Sequence, residues 1–548
     1  MNNWLKATAI AWLAASTLQT TAQTTLPVVQ QTAFRKDTFH ITKYGAVADG
    51  ITLNTKAIQN AIDACHKKGG GVVLVPAGLW MTAPIEIKSN VNLHLQKGAL
   101  LQFTKDFSQY KLVEGNWEGL PQMRNQSPLW ATNATNIAVT GLGIVDGGGE
   151  AWRQVKKEKL TETQWNKLVA SGGVLSDNGK SWYPTQRWKE ASQMKNPGVI
   201  SPGKTPEFYN SIKEFLRPNL LVFTKCKKVL LEGVTFQNSA AWCLHPLMSE
   251  HVTVRNVTVK NPWFAQNGDG IDLESCKNVL IEGSTFDVGD DGLCMKSGRD
   301  EAGRKRAMPT ENVIIRDCIV YHAHGGFVIG SEMSGGARNI WVSNCTFIGT
   351  DIGLRFKTTR GRGGIVENIF IENIQMKDIP GEAILFDMYY MAQDPIPLAG
   401  EKRELPKVET LPVTEATPQF RNFVIKNVVC NGAAKGIFVR GIPEMHVKNV
   451  LLENITLQAD KGIDCQEATG ITFKNVKMIS KHTNPVVDII NSDQLVFDKL
   501  SYSNDAQLLF RVAGERAKNI RIINTDAAKA KEKIQYEFGA SEHDVTIK

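Results

Sequence analysis

KNVLIEGSTF, which begins at Lys277, is one of five segments that share a single pattern. Each has a polar residue and Asn, then alternating apolar residues, then a turn residue that is usually Asn or Gly, then a second short apolar run. The others are ENVIIRDCIV from Glu311, RNIWVSNCTF from Arg338, ENIFIENIQM from Glu367 and KNVLLENITL from Lys448. Alternation with period two predicts β-strands that bury one face.

The first apolar residue of each such segment gives an anchor for measuring the repeat. Successive anchors lie 21 to 34 residues apart, except for 54 residues between Ile369 and Phe423, which fits two coils or one coil with an insertion. These intervals are too short for a strand, a crossover helix and a second strand. The sequence therefore predicts an all-β fold, a single right-handed parallel β-helix whose coils stack about 4.8 Å apart. The anchors are Val229, Val252, Val279, Val313, Ile340, Ile369, Phe423, Val450, Ile471, Leu495 and Ile520.

The open end of such a solenoid needs a cap, because it exposes unpaired strand edges. Residues 54–67 carry a helical apolar stripe, followed by three glycines, and predict an N-terminal capping helix. The stripe consists of Ala57, Ile58, Ala61, Ile62 and Cys65. Two long stretches interrupt the repeat, near 150–216 and 390–419, and we expect loop insertions there.

The chain has 548 residues, 42% of them hydrophobic, and a formal charge of +8, which is typical of a folded protein and excludes a disordered one. Lys6 precedes an apolar run from Ala7 to Leu18 and small polar residues, so residues 1–22 are predicted to be a secretory signal peptide. Residues 23–548 then form the catalytic domain of an exported protein, periplasmic or secreted. The odd count of nine cysteines favours buried thiols over disulfides; Cys276, Cys294, Cys318 and Cys345 are interpreted as stacked core thiols.

Polar side chains that could carry chemistry are concentrated in the middle of the repeat. Asp290 and His324 each lie 11 residues after their anchors, Val279 and Val313, so they should occupy equivalent points on neighbouring coils. Asp269 precedes Asp290 by 21 residues, again about one coil. The motifs are NGDGID from Asn267, GDDG from Gly289, AHG from Ala323 and RFK from Arg355. Crowded carboxylates cannot all stay ionised, so one is expected to become an acid, and the cationic pair suits a uronate.

The order, spacing and functional side chains of these motifs resemble glycoside hydrolase family 28, the polygalacturonase family, whose motifs are NTD, QDD, GHG and RIK. Gly268, Gly289, Ala323 and Phe356 depart from that pattern at neighbouring positions. The resemblance covers most of the chain, from the YGAVADG segment at Tyr44 to Tyr389. It implies hydrolysis of α-1,4-galacturonosidic or related pectic bonds with inversion, and it implies neither cofactor nor metal.

The same resemblance implies roles for individual residues. Asp290 would be the general acid, Asp269 and Asp291 would hold and deprotonate the attacking water, and His324 would tune the acid's proton. Arg355 and Lys357 would bind a substrate carboxylate, and Tyr389 would line the leaving-group subsite, although Tyr390 beside it could take that contact. For His245 the residues themselves favour substrate binding and a turn-stabilising role equally.

Two further expectations concern stereochemistry and mode of attack. Stacking at about 4.8 Å would place Asp269 and Asp290 at the spacing of retaining glycosidases; the family resemblance implies inversion, and we follow it, because Asp269 and Asp291 can jointly hold a water. The segment FVIGSEMSGGARNI from Phe327 resembles the exo-acting branch of the family. With the insertions closing one end of the binding groove, we expect single residues or very short products from the non-reducing end.

The expected partner is an acidic plant cell-wall polysaccharide, pectin or its oligosaccharides, bound by a monomer. No basic block with interleaved aromatics suggests nucleic acid, and no later segment offers 18 uninterrupted apolar residues for a membrane span. Two other functions fit a β-helix. A pectate or rhamnogalacturonan lyase would need a strong base and a metal such as calcium, and a non-catalytic polysaccharide-binding β-helix would need no acid.

Overall fold

The computed structural model describes residues 26–390 and 409–548, and in this part of the chain 35 strands form one continuous sheet wound into a parallel β-helix. The expected signal peptide lies outside the described residues, as do residues 391–408 of the second insertion. No helix in the described part is long and apolar enough to cross a bilayer.

Each coil contributes strands to three faces of the solenoid. The face that carries the polar motifs is called the site sheet. In order of pairing it consists of Ile85–Glu86, Leu129–Thr132, Leu221–Thr224, Leu244–Leu247, Ile271–Glu274, Leu293–Lys296, Phe327–Ile329, Leu354–Lys357, the ends of Ile365–Asp387, Gln419–Arg440 and Val447–Gln466, then Val487–Ile490, Leu508–Ala513 and Glu532–Glu537.

The second sheet contains the anchors, and the third sheet precedes the site sheet in each coil. The second consists of Thr38–His40, Gly71–Val75, Val91–Leu95, Thr135–Gly141, Lys227–Glu232, Glu250–Arg255, Lys277–Glu282, Thr310–Arg316, Ala337–Ile348, the starts of the three long strands, Ala468–Ser480, Val496–Tyr502, Ile520–Ile523 and Val545–Ile547. The third consists of Asp49–Leu53, Gly78–Thr82, Ala99–Phe103, Ile144–Asp146, Thr235–Gln237, Thr258–Lys260, Thr285–Asp287 and Ile319–Tyr321, and then merges with Ala337–Ile348.

The predicted register of the repeat is confirmed. The anchors from Val229 to Ile471 pair in sequence, each with the next, along the second sheet. Ile369 pairs directly with Phe423, so the interval of 54 residues is one coil with an insertion. Inward residues of neighbouring coils form apolar columns that exclude water; one column is Leu221, Leu244, Ile271, Leu293, Phe327 and Leu354, all fully buried.

The Asn residues of the repeat stack as a ladder along the turns. Asn278, Asn312, Asn339 and Asn368 all have φ between 56° and 58°, a left-handed conformation that Asn tolerates better than most residues. The side-chain amides of Asn312, Asn339 and Asn368 each donate to the Asn of the preceding coil, over 3.1 to 3.3 Å. The turn residue and the stacking contact are therefore the same residue, which explains why Asn recurs in the pattern.

The predicted cap is helix Thr55–Lys67. Its buried residues are the five of the predicted stripe, and it packs against the first strands of the solenoid, including Thr38–His40 and Gly71–Val75. The helix ends where Gly69 and Gly70 adopt positive φ. A Cβ on Gly70 would lie 2.4 Å from the carbonyl oxygen of Asn90, so this position requires glycine.

The first insertion folds into a small helical unit beside the solenoid. Its helices are Glu162–Ala170, Gln186–Ser192 and Pro206–Ser211, its short sheet is Val155–Lys156, Ser181–Tyr183 and Val174–Leu175, and its 3₁₀ turns are Gly149–Ala151, Lys157–Lys159 and Lys213–Phe215. Trp165 and Trp182 form its apolar centre, against which Phe264 of the solenoid packs. Among the described residues the remaining helix is Asp300–Arg306, and the remaining 3₁₀ turns are Ile41–Tyr44, Phe107–Gln109, Ala527–Lys529 and Glu542–Asp544.

Residues Leu112–Trp117 and Leu120–Asn125 form a two-stranded antiparallel hairpin, which the repeat pattern does not predict. In the chain it comes just before strand Leu129–Thr132. At its tip the Gly119 carbonyl oxygen accepts a hydrogen bond from the Arg299 amide, 3.2 Å away, beyond the end of strand Leu293–Lys296. The hairpin therefore crosses the site sheet over several strands.

All nine cysteines are buried free thiols. Cys318 stacks on Cys345, because their neighbours Ile319 and Thr346 are paired. Cys276 is also a core thiol, although it does not stack on these two, and the prediction of a stacked core thiol is wrong for Cys294. Cys276 lies in the turn before the second sheet, and Cys294 faces outward from the site sheet, with its Sγ 3.7 Å from Asp291. The motif spacing did not distinguish the inner and outer faces of a strand.

Candidate active site

Three aspartates converge at the start of the site sheet. Asp269 lies in the turn before strand Ile271–Glu274, and Asp290 and Asp291 lie in the equivalent turn of the next coil. One carboxylate oxygen from each lies within 4.8 Å of the other two. The structure thus brings together the three residues that the spacing singled out.

Asp290 is the most exposed of the three carboxylates. Its side chain is 20% exposed, whereas Asp269 and Asp291 are buried. Oδ1 accepts a hydrogen bond from the Asp291 amide at 2.9 Å, and Oδ2 accepts one from the Asn267 amide at 3.1 Å. These backbone donors fix the carboxyl group in an orientation that remains accessible from solvent.

Asp291 is held by the predicted cationic pair. Lys357 Nζ lies 2.7 Å from its Oδ2, and Arg355 Nη1 lies 3.1 Å from its Oδ1. Burial opposes ionisation of this carboxyl group, but the charges of Lys357 and Arg355 outweigh it and hold the pKa of Asp291 well below its usual range. Asp291 is therefore a carboxylate at any physiological pH.

Asp269 shares its buried environment with a fourth carboxyl group, Asp272. Burial, reinforced by the charges of Asp272 and Asp290, raises the pKa of Asp269 well above its usual value, and burial does the same for Asp272. Both oxygens of Asp272 lack a hydrogen-bond partner within the described residues, and Lys296 Nζ lies 3.6 Å away. Crowding and burial therefore favour a shared proton on the buried pair Asp269 and Asp272.

His324 lies beside the exposed carboxyl group. Its Nδ1 is 3.2 Å from Asp290 Oδ1, and its Nε2 is 3.7 Å from Asp351. The hydrogen bond to Asp290 raises the pKa of His324 above 6.5, against the opposing effect of burial. A protonated imidazole is thus favoured next to Asp290. Asp351 was not predicted, because it lies in a turn outside the four motifs.

The tyrosine at this site is Tyr390 rather than Tyr389. The Tyr390 ring lies 5.0 Å from Lys357 Nζ and 5.7 Å from the Arg355 guanidinium carbon. Tyr389 is 4% exposed and belongs to the solenoid core, with the Arg440 guanidinium over its ring at 5.1 Å. Its amide donates to Asp387, which turns the chain so that the following residue faces the cationic pair.

His245 lies beneath the surface instead of facing the site. It is 1% exposed, its Nε2 is 3.0 Å from Glu274, and Asn219 lies 3.1 Å from its Nδ1. Arg306 completes the network with a bond of 2.5 Å to Glu274. These contacts fit a structural role, the second of the two alternatives.

A second acid–base pair lies on the site sheet toward the hairpin. Lys296 Nζ is 3.0 Å from Glu332, which belongs to the GSEMSGG segment, and 4.9 Å from the centre of the Trp242 ring. Charge of Lys296, working against burial, lowers the pKa of Glu332 to about 2. Neither residue was singled out from the sequence, since a lone Lys or Glu in a strand carries no signal by itself.

The hairpin also packs on Trp242. Trp117 stacks on it with ring centres 5.5 Å apart, and the Arg124 guanidinium lies 3.8 Å from the Trp117 ring. Glu118 at the tip lies 3.4 Å from Arg299. The hairpin therefore stands as a wall across the site sheet on the side of the aspartates opposite Arg355 and Lys357.

A cavity of about 880 Å³ lies between helix Glu162–Ala170 and the third sheet. Asp146, Gln237, Lys260 and Asp287 form its floor, one from each successive coil. The three aspartates and the cationic pair do not line it. The cavity is therefore separate from the site, although its size is that of a small-molecule pocket.

The spacing of the three carboxylates would also suit a cation. Asp291 already has two cationic partners, however, which supply the positive charge that a metal would bring. The arrangement is thus complete for acid–base chemistry: one accessible carboxyl group, one buried carboxylate held ionised, and a third that shares a proton with its neighbours.

Comparisons with known proteins agree with this geometry. The family model of glycosyl hydrolases family 28 matches residues 158–398, and a model named rhamnogalacturonase A/epimerase, pectate lyase-like, matches residues 38–185. A probable polygalacturonase of Vitis vinifera is 28% identical over 424 residues, which cover 76% of this chain and 73% of that protein. An exo-poly-alpha-D-galacturonosidase of Dickeya chrysanthemi is 26% identical over 484 residues, covering 84% and 74%.

Among solved structures, an exopolygalacturonase from Thermotoga maritima superposes with a TM-score of 0.65 and 28% identity, covering 87% of this chain and 94% of that one. The matched residues of the family 28 model include all four motifs of the site. The protein is a glycoside hydrolase, and it resembles glycosyl hydrolases family 28.

Proposed function

We propose that this protein hydrolyses the galacturonosidic bonds of pectin, releasing residues from a chain end with inversion. The observation that carries the proposal is the pairing of an accessible carboxyl group, Asp290, with a carboxylate kept ionised by Lys357 and Arg355. The relatives named above, a polygalacturonase and exo-acting enzymes, support the same substrate class.

In the proposed mechanism Asp290 donates a proton to the glycosidic oxygen while the bond from that oxygen to the anomeric carbon breaks. A water held between Asp269 and Asp291 attacks the anomeric carbon from the opposite face and loses a proton to this pair. The three carboxyl groups keep the same number of protons during the bond cleavage, because Asp290 gives one to the leaving oxygen and the pair of Asp269 and Asp291 takes one from the water. After the products leave, the pair releases its proton to solvent, and Asp290 takes one up through its hydrogen bond with His324.

Recognition of the acidic sugar is proposed for Arg355, Lys357 and Tyr390. The Arg355 side chain is 15% exposed and the Lys357 side chain is buried, and the Tyr390 ring lies against both cations. A substrate carboxylate can approach this pair while Asp291 retains its bonds, since each cation has more than one donor. This places the leaving sugar beside Asp290.

The exo mode of attack is supported by the hairpin, with the first insertion behind it. A polymer lying along the site sheet past the aspartates would meet Trp117 and the tip residues Glu118 and Gly119. Only a chain end fits between such a wall and the catalytic carboxylates. Export of the protein is proposed from the features of residues 1–22.

Shortening the hairpin tests the exo mode. We expect the wild-type protein to release single galacturonate residues from long polygalacturonate from the first minutes onward. A variant in which residues 114–123 are replaced by a two-residue turn should release a ladder of intermediate oligomers, because the wall is gone. Chromatography of early digests separates the two patterns.

A matched control shortens the loop at residues 176–180, which lies at the tip of the first insertion between two strands of its small sheet. This control should keep the wild-type pattern. If the hairpin variant does not fold, Glu118→Ala with Arg299→Ala loosens the tip instead. Early ladders from the wild-type protein itself would contradict the exo proposal.

A lyase is the second candidate, favoured by the spacing of the three carboxylates, which could hold calcium. It would form unsaturated products that absorb ultraviolet light and would lose activity with a chelator. Saturated products and full activity in the presence of chelator would exclude it.

A further inference from the structure

Arg217 connects the end of the first insertion to the loop that carries Asp269. The residue is 9% exposed, and its Nη1 donates to the carbonyl oxygens of Ala240 at 3.1 Å and Gln266 at 2.9 Å. Its Nη2 donates to Asn267 Oδ1 at 2.8 Å. Three hydrogen bonds from one planar group fix two neighbouring loops relative to each other.

Asn267 links Arg217 to Asp290 through two hydrogen bonds. Its backbone amide is the donor to Asp290 Oδ2, at 3.1 Å. Asn267 has a φ of 53°, so the direction of its amide depends on a local conformation that few residues adopt. Arg217 holds the side chain of that same residue, and so the amide stays aimed at Asp290.

Arg217 also contributes charge. Within residues 26–390 and 409–548 no carboxylate oxygen forms an ion pair with its guanidinium, and the nearby acids act on it from a longer distance. Burial lowers the pKa of Arg217 to about 10, and Glu118, Asp269 and Asp290 partly offset that effect. A buried charge without a direct counterion interacts electrostatically with groups at longer distance, because little water screens it. When Asp290 gives up its proton, Arg217 stabilises the anion that forms.

We infer that Arg217 is a positioning residue for the acid step: through Asn267 it orients Asp290, and its charge favours release of the Asp290 proton to the leaving group. The inference rests on the proposed role of Asp290. The ionisable groups that face Asp290 from all packed elements are Asp269, Asp272, Asp291, His324, Arg217 and Arg355.

The test compares two leaving groups. Cleavage of a galacturonate oligomer releases a sugar alcohol, which is a poor leaving group unless its oxygen is protonated. Cleavage of 4-nitrophenyl galacturonide releases a stable phenolate and needs little acid assistance. For Arg217→Met we expect kcat/KM on the oligomer to fall about 10- to 100-fold, part of the 10² to 10⁴ that acid catalysis supplies. The loss on the nitrophenyl substrate should be only a few-fold. Arg217→Lys keeps the charge and should recover part of the oligomer activity.

The pH–rate profile gives a second readout on the oligomer. Removal of a nearby positive charge makes the acid hold its proton more tightly, so the alkaline limb for Arg217→Met should move to higher pH. A residue that only braces the fold would lower the rate at all pH values without moving this limb.

Arg153 is a matched control from the same insertion. It is 3% exposed, and it donates to the Ser239 carbonyl oxygen at 2.8 Å and to Asn238 Oδ1 at 2.6 Å, one coil away from Asn267. Arg153→Met should lower thermal stability to a similar degree but leave the ratio of the two substrates unchanged. Equal losses on both substrates for Arg217→Met, with an unmoved alkaline limb, would overturn the inference. A wild-type protein inactive on both galacturonides would instead overturn the proposed function.

Discussion

Asp290→Asn is expected to lower kcat on galacturonate oligomers by about 10² to 10⁴ while the protein folds normally. The amide keeps the shape of the carboxyl group, and its single oxygen can still accept one of the two hydrogen bonds that the Asn267 and Asp291 amides donate to Asp290. It has no acidic proton, however, and the glycosidic oxygen would have to leave as an alkoxide. Steady-state kinetics together with circular dichroism check both parts of the result.

The matched control is Asp287→Asn, three residues earlier on the same coil. Asp287 Oδ1 bonds to His322 at 2.9 Å on the third sheet and does not contact the three clustered aspartates. This variant should retain most of the activity. A fully active Asp290→Asn variant would remove the acid from the proposed mechanism.

The second large effect is expected for Lys357→Ala. It removes the 2.7 Å partner of buried Asp291, and breaking a buried ion pair costs up to about 3–5 kcal/mol in the free energy of unfolding. We also expect kcat to fall roughly 10² or more, since Asp291 is then less firmly ionised and the water less well held. KM on unesterified oligomers should rise more than on methyl-esterified ones, because an ester has no carboxylate for the site to bind.

The pH dependence of this stability effect has a fixed sign. The pKa of Asp291 is lowered in the folded protein, so its ion pairs contribute stability above the unfolded value near 3.8 and lose it as the pH falls toward the folded value. The stability gap between wild type and Lys357→Ala should therefore be full at neutral pH and narrow below about pH 4. Arg255→Ala breaks a half-exposed pair with Glu282 on the second sheet and should cost much less at every pH. An unchanged kcat for Lys357→Ala would contradict its role at Asp291.

Much of the solenoid could be predicted because every coil must bury its apolar residues and pair its strands with the next coil. The anchors had to point inward and pair with the next coil, and the structure pairs them as the spacing requires. The hairpin could not be found this way, since a single antiparallel excursion has no repeat to reveal it. Its signal was local: Glu118 and Gly119 form a tight turn, and both have positive φ.

The repeat likewise predicts some residues of the site and not others. Asp290 and His324 had equal offsets from their anchors, so their contact followed from the repeat alone. Tyr390, Asp272 and Arg217 depend instead on which way a turn directs a side chain, and sequence spacing does not contain that information. Tyr389 and Tyr390 follow the end of strand Ile365–Asp387, where the chain turns so that the first ring is buried and the second faces the cationic pair.

The stereochemistry of the first product tests the central claim most directly. The substrate linkage is α, and proton NMR of a fresh digest shows which anomer of galacturonate appears before mutarotation. The proposed mechanism predicts the β anomer first, because a water between Asp269 and Asp291 attacks opposite the leaving group. Initial release of the α anomer would contradict it, and would instead fit the close carboxylate spacing of a retaining enzyme.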